Sequence, residues 1–507
     1  MSDKTAAPQV YGADEINAVV LDPGSYTTQA GYAGYDQPSI VTPSYYSIHT
    51  SQENGKSTKV FDENLLFSRP KDGAEIRSLV SDNLVIDWDG AMDQYRYLFG
   101  QLEINSKEQP LLLTESTMNS YKNKIKAMEF FLEEEQFCAF YSVKQPTCVS
   151  FAHGRPNCLV VDIGHDLTTV TPVIDGLCLR NQVRGTKYAG AYLNQQLRQF
   201  LKSKAVDYTA PFMVKKKEGV YWENNDTKPI FENTNNIGNI HPSVKDFFYL
   251  RTLREMKELL LECCTDDELM VPADVEKELE TENTRWFELP NGLNVPFTAY
   301  ERQKISNSLF HPSDTLCGVV ENWEKPYDGN IIDTIGTKND LTSKEYVPLR
   351  RAKKTDEEEN NNGSASKDEN SHSPSKDSNK KEDGSTNNGT AVKHEKNDPS
   401  VGVTDLIQNV LENLDIDLKP QLANNIVLTG STTLVPRLNE RLNNELSLLN
   451  PSLKIRVHSA GNTTERKYAS WIGGSILSSL GTFHQLWVSK AEYDDVGPDQ
   501  LIVNRFR

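Results

Sequence analysis

The sequence predicts a duplicated α/β fold interrupted by one long polar insert, and three observations predict it. The chain carries two copies of an Asp-x-Gly turn, Asp22-Pro-Gly-Ser-Tyr-Thr-Thr28 and Asp162-Ile-Gly-His-Asp-Leu-Thr-Thr169. Each follows an apolar run, Ala18 to Leu21 and Cys158 to Val161. Strand-like and helical patterns alternate through most of the rest. From about Thr355 to Ser400, by contrast, Asp, Glu, Asn, Ser, Lys and Gly leave almost no aliphatic residue and no aromatic one.

Each turn reads as strand, tight turn, strand. Glycine lets the backbone approach a phosphate, Ser and Thr hydroxyls and free N–H groups act as donors, and the aspartate can hold a hydrated Mg²⁺. Either copy alone is ordinary turn chemistry. Two copies facing each other would clamp a nucleoside triphosphate between related lobes.

Further along, Arg251 to Cys264 reads as a helix. Leu253, Met256 and Leu260 form its core stripe, and Arg254, Lys257 and Glu258, at i, i+3 and i+4, form a separate polar face. Taken alone, that trio is an exposed charged face. Asn424 to Thr429 reads as a buried strand, Gly430 to Pro436 as a loop, and Arg437 to Leu449 as a helix with Leu438, Leu442, Leu446 and Leu449 on one face. Gly430 thus falls at a strand end, where α/β folds bind ligands. The 355–400 stretch cannot bury enough apolar surface to offset the entropy of ordering and should be a disordered loop. Such a loop is tolerated because its closure cost grows only logarithmically with length. Just before it, Arg350-Arg-Ala-Lys-Lys354 reads equally as a nuclear import signal or a solvated charge run. Ser373-Pro374 within it is a phosphorylation motif of low specificity.

The 507 residues suffice for two cores. A net charge of −18 argues against a sequence-independent grip on nucleic acid and favours basic partners. Seven cysteines without CxxC pairing suit a reducing compartment and imply no metal site. The start, Met1-Ser-Asp-Lys-Thr, lacks an apolar leader, and no run of ~18 apolar residues occurs, so neither secretion nor membrane spanning is expected.

The first turn and its continuation through Gly34 resemble the first phosphate loop of actin. Leu111-Leu-Leu-Thr-Glu115, Phe287-Glu-Leu-Pro-Asn-Gly292, Leu309-Phe-His-Pro-Ser313 and Val427-Leu-Thr-Gly-Ser-Thr-Thr433 resemble the same family, as do Glu465-Arg-Lys-Tyr-Ala-Ser-Trp-Ile-Gly-Gly-Ser-Ile-Leu477 and Thr482-Phe-His-Gln-Leu-Trp487. By these motifs the chain is identified as a member of the actin superfamily, over most of its length outside roughly 317–400. The stretch from Gly154 to Asp166, Tyr346-Val-Pro-Leu-Arg350 and the ending Val503-Asn-Arg-Phe-Arg507 resemble the nuclear actin-related branch found in chromatin-remodelling and histone-acetyltransferase complexes.

The resemblance implies a duplicated ATPase (ribonuclease H-like) fold of two lobes and four subdomains around a nucleotide cleft. Subdomain 1 would comprise 1–44, 80–152 and 469–507, subdomain 2 residues 45–79, subdomain 3 residues 153–188 and 401–468, and subdomain 4 residues 189–316, with the insert at 317–400. It implies ATP and Mg as cofactors. Asp22 and Asp162 would orient Mg²⁺ through water, and Gly24, Ser25, Tyr26 and Gly164 would line the phosphates. Arg254, Lys257 and Glu258 would reach the ribose and adenine, and Gly430, Lys467 and Tyr468 would close the base pocket.

Gln145 falls where actins position the attacking water. Several positions depart from the pattern. Thr169 stands in place of an assisting histidine, His165 in place of an acidic residue, Gln29 in place of a lysine near the phosphates, and Ser431 in place of the adenosine loop's second glycine. A lost proton relay and a lost charge leave hydrolysis absent or very slow, so no catalytic residue is expected. The stretch from Tyr45 to Lys59, where actin has its filament-forming loop, has a polar tip that buries little area. The expectation is therefore a nuclear, non-polymerising scaffold subunit in transcription regulation and DNA repair. Its partners would be actin, a basic helix of a remodeller ATPase or scaffold subunit, and histones or nucleosomes. The same residues leave a cytoskeletal actin-like ATPase as the alternative. A sugar kinase or chaperone of the same superfold is disfavoured by the motifs through Trp487.

Overall fold

The computed structural model describes residues 17–50, 57–62, 66, 73–216, 230–231, 240–265, 283–318, 332–333 and 401–506. Two mixed sheets organise them, and the two are built alike. In the first, β1 (Val19–Pro23) and β2 (Thr27–Tyr32) form an antiparallel hairpin, β3 (Ile40–Pro43) extends it, and β4 (Leu111–Glu115) and β5 (Ala139–Lys144) add in parallel on the other side of β1. In the second, β6 (Cys158–Ile163) and β7 (Thr168–Ile174) form the hairpin, β8 (Arg184–Thr186) extends it, and β9 (Ile426–Thr429) and β10 (Val457–Ser459) add in parallel beside β6. This is the duplication that the two Asp-x-Gly turns predict. Buried on both faces, β1, β4, β6 and β9 are nearly continuous apolar runs, as parallel central strands require.

Helices α1 (Gln145–Ala152) and α5 (Ala469–Ser479) join the lobes. Helix α1 leaves β5 with Pro146 in its first turn, where a missing N–H costs nothing. It crosses α5 at backbone contact, since a Cβ on Gly473 would stand 1.7 Å from the Cys148 carbonyl oxygen. Trp471 of α5 is fully buried and donates to the Val20 carbonyl at 3.1 Å. Truncating such a side chain costs about 3–5 kcal/mol.

In the second lobe, α2 (Gly190–Ser203), α3 (Pro242–Leu260) and α4 (Leu438–Leu449) cover the sheet. Leu253, Met256 and Leu260 of α3 and Leu438, Leu442 and Leu446 of α4 share one core with Leu159 and Val161. Three details differ from the sequence reading. Helix α3 starts earlier than Arg251, at Pro242 with His241 capping it, and ends at Leu260 rather than Cys264. Leu449 is 52% exposed, because the last residue of α4 lies beyond the core that the preceding leucines fill. The insert expected over 317–400 contains the strand Ile332–Asp333, which pairs with β8 at the sheet edge. The disorder expected at about 355–400, the basic cluster and Ser373 lie outside the described residues, as does the 51–56 tip. All seven cysteines are free thiols, and no helix among the described residues is long and apolar enough to cross a membrane.

Candidate nucleotide site

The two hairpins bring their aspartates to one cleft. Strand register places Asp22 opposite Gln29 and Asp162 opposite Thr169. Both turns close with the same hydrogen bond, from Gly24 N–H to Thr27 O at 3.1 Å and from Gly164 N–H to Leu167 O at 2.9 Å. A Cβ on Gly24 would approach Thr27 O to 2.9 Å, and one on Gly164 would approach Leu167 O to 3.3 Å. Glycine therefore lets each turn close this tightly on its own carbonyl oxygen. Gly430 ends β9 at φ +93°, and a Cβ there would stand 2.4 Å from Ile163 O and 2.5 Å from Asp162 Oδ1. Only glycine fits this left-handed position against the carboxylate.

Asp22 is buried, and its Oδ1 accepts from Thr114 Oγ1, from Gln145 Nε2 at 3.1 Å and from Ser470 Oγ at 3.4 Å. Burial raises its pKa against those donors. Burial, with Asp22 nearby, pushes Asp162 up to about 7. Two facing carboxylates that resist joint ionisation are a donor set suited to a cation. The glycine cradles and this pair thus fit a magnesium-bound triphosphate.

Two adjoining cavities make up the cleft. The inner one, about 120 Å³, is lined by Asp22, Gly24, Ser25, Tyr26, Asp162, Gly164, Gly430 and Lys467, with Gln29, Gln145, Thr169 and Ser431. The outer one, about 290 Å³, is lined by Tyr26, Arg254, Lys257, Glu258, Lys467 and Tyr468. The structure thus gathers all twelve sequence-derived binding residues around one cleft. Tyr26, Thr27, His165, Ser431 and Lys467 border both cavities and form the neck between them.

The polar trio of α3 divides. Arg254 and Glu258 pair at 2.9 Å, as an i,i+4 surface couple does. Lys257 turns inward instead and donates to Gly190 O at 3.0 Å, and burial with Arg254 beside it lowers its pKa to about 8. Across the neck, the Arg254 guanidinium lies 4.5 Å from the Tyr26 ring centre, and the Tyr26 and His165 rings are 5.0 Å apart. Burial, then Lys257 and Arg254, push His165 down to about 3, so its imidazole is neutral. Gln29 spends its amide on its own strand, donating to Thr27 O at 3.1 Å and Thr27 Oγ1 at 2.7 Å.

The His165 shift carries a pH prediction. The unfolded chain takes this proton near pH 6.5 and the folded chain does not, so stability falls as pH drops below 6.5, by up to ~1.4 kcal/mol per unit. Denaturant unfolding of the nucleotide-free protein at pH 6.5 and 5 should show about 2 kcal/mol more acid loss in wild type than in His165→Asn. Asp162, raised rather than lowered, acts in the opposite sense but is present in both proteins.

Sequence reasoning gave no role to Thr114 or Ser470, although both lie inside quoted motifs. It also missed a bridge between lobes, in which Asp82 N–H donates to Asp166 Oδ2 at 2.9 Å while Lys187 reaches the Asp82 carboxylate at 3.1 Å. Next to it, Asn83 N–H donates to Ser25 Oγ at 3.0 Å. The signal was the Ser81-Asp-Asn83 turn, whose Asp82 and Asn83 both take positive φ.

A duplicated sheet with paired Asp-x-Gly turns, joined by two crossing helices, defines a class, and comparison with known proteins agrees. The family profile described as Actin matches residues 13–507, and the chain belongs to the actin family. Among curated proteins it is 38% identical to actin-related protein 4 of Candida albicans, over 98% of both chains. It is 38% identical to actin-related protein 4 of Saccharomyces cerevisiae over 99% of both, and 31% identical to that of Schizosaccharomyces pombe over 97% of both.

Proposed function

We propose that this protein is an ATP-binding, non-polymerising scaffold subunit of nuclear chromatin-remodelling and histone-acetyltransferase complexes, with ATP held as a structural clamp. The observation that carries this reading is the pair of neutral residues facing the two carboxylates, Gln29 opposite Asp22 and Thr169 opposite Asp162. Asp22 and Asp162 would hold magnesium through water, and the Gly24 and Gly164 turns with Ser25 would hold phosphates. Arg254, Lys257, Glu258, Gly430, Lys467 and Tyr468 would enclose the nucleoside. Bound magnesium would offset phosphate charge. Gln29 adds no charge at the phosphates, Thr169 accepts no proton near neutral pH, and His165 is neutral, so hydrolysis lacks a relay and the lysine charge that actins carry where Gln29 stands. Gln145, already on Asp22, is the one residue that favours the second reading, an actin-like cytoskeletal ATPase.

Tyr26 of the first lobe meets Arg254 and His165 of the second and would slow nucleotide release. Losing a contact worth ~1.4 kcal/mol speeds dissociation about tenfold. Chasing a fluorescent ATP analogue from Tyr26→Ala should show that acceleration.

Polymerisation is disfavoured because apolar residues at the start of the 45–59 stretch pack internally. Tyr46 is buried, donates to Asp87 Oδ2 at 2.5 Å and packs on Phe61, while Tyr45 packs on Phe247. The nuclear assignment and the partners, namely actin, a basic helix of a remodeller or scaffold subunit, and histones or nucleosomes, rest on the branch resemblance. Tagging the chain at its own locus tests them: it should reside in the nucleus and co-purify in fixed ratio with actin and acetyltransferase or remodeller subunits. The purified chain should stay in the supernatant with salt and Mg²⁺. Actin-like pelleting, or exclusion from the nucleus, would contradict the reading.

A further inference from the structure

The outer mouth of the cleft is closed by contacts that lie outside the nucleotide-binding residues. The strands Tyr45–Thr50 and Glu75–Ser78 of the first lobe pair with each other, and Glu75–Ser78 lies against α3 of the second lobe. Tyr45, Ala74 and Ile76 from the first lobe form one apolar cluster with Val244, Phe247 and Phe248 from the first two turns of α3. The contact is dry, since Ala74 and Val244 are each only 1% exposed.

Its polar border is satisfied as well. Ile76 N–H donates across the mouth to Ser243 Oγ at 3.0 Å, and that oxygen lies 2.8 Å from His241 Nδ1. An aromatic row continues inward. The Tyr45 ring stands 5.7 Å from Phe247 and 6.2 Å from Tyr26, centre to centre, and Tyr26 in turn carries Arg254. Helix α3 thus bears the mouth contact at Val244 to Phe248 and the cleft-facing Arg254 and Lys257 about two turns further on. Burial of apolar surface stabilises this contact whether or not a ligand is present.

We propose that the apolar contact is a lock that holds the lobes shut over an empty cleft as well as a filled one, so that nucleotide enters and leaves only when Glu75–Ser78 lifts from α3. The inference rests on reading the cleft as a nucleotide site, but the lock itself needs no nucleotide. While the closed form predominates in both states, a lock indifferent to the ligand slows entry and exit by the same factor and leaves affinity unchanged.

The test uses two variants of the full chain, Phe247→Ser in the second lobe and Ile76→Ser in the first. Amide hydrogen exchange of the nucleotide-free protein is followed in peptides covering 74–78 and 250–260. In wild type the 74–78 peptide should be protected, and either variant should speed its exchange about tenfold. The 250–260 peptide, whose Leu253 and Met256 sit in the main core of the second lobe, should be unchanged, which separates a lost lock from a lost fold. With a fluorescent ATP analogue, association and dissociation should both rise about tenfold, their ratio holding within about threefold. Failure of the analogue to bind would count against the nucleotide reading and leave the exchange data to decide on the lock. Wild-type 74–78 exchanging as freely as an unfolded chain, neither variant speeding it, or faster dissociation with unchanged association each overturns the proposal.

Discussion

Gly473→Ala is expected to destabilise the protein by about 3 kcal/mol or more and to empty the nucleotide cleft. Propensity alone predicts the opposite sign, since alanine in place of a helical glycine is worth about 1 kcal/mol. Sterics decide here, because the new Cβ would lie 1.7 Å from Cys148 O and 2.3 Å from its carbonyl carbon, and backbone cannot rotate aside. Helices α1 and α5 would have to separate. They carry Gln145 and Ser470, both of which donate to Asp22, so the damage reaches the cleft directly. Gly100 is the control. It lies in the helix Trp88–Gln101 with nothing within 4 Å of its would-be Cβ, so Gly100→Ala should be neutral or stabilising by up to about 1 kcal/mol. Denaturant melts of the two variants, with nucleotide content measured in parallel, read both effects.

The second large effect is a gain. Restoring the charge and the relay together, in Gln29→Lys with Thr169→His, is expected to raise ATP turnover by on the order of 10²-fold or more for each contribution. The register makes this reasonable, because each residue lies directly across its hairpin from an aspartate that could orient the new side chain. The lysine costs the hydrogen bonds from Gln29 to Thr27, about 1 kcal/mol, which a large protein tolerates. Adding Gln145→Ala to the double variant should remove the gain, which phosphate-release kinetics would show. A double variant no faster than wild type would mean that the barrier lies elsewhere in the cleft.

The duplication was legible because its signal is local. A glycine whose added Cβ would crowd its own turn's oxygen, and an aspartate at a strand end, leave marks within a few residues. The lone Gly430 was legible for the same reason, as it follows an apolar strand. Lys257 was harder. Its neighbours Arg254 and Glu258, four residues apart, do form the surface pair that the spacing suggests, and only the packing of α3 against α2 turns the lysine inward to Gly190. The turn at Asp82 and Asn83 left a local mark, but its bridge to Asp166 and Lys187 was illegible because it joins residues distant in sequence, with no periodicity to announce them. Leu449 failed differently: a leucine stripe shows which face of a helix is apolar, not how far the core extends along it.

The central claim is that ATP is held and not consumed. Its most direct test is the nucleotide recovered from the purified protein after denaturation, with the ATP to ADP ratio followed over hours in Mg²⁺. Near-stoichiometric ATP that persists is the predicted result. Steady conversion to ADP would mean that Gln145 on Asp22 suffices for catalysis, and would contradict the structural-clamp account.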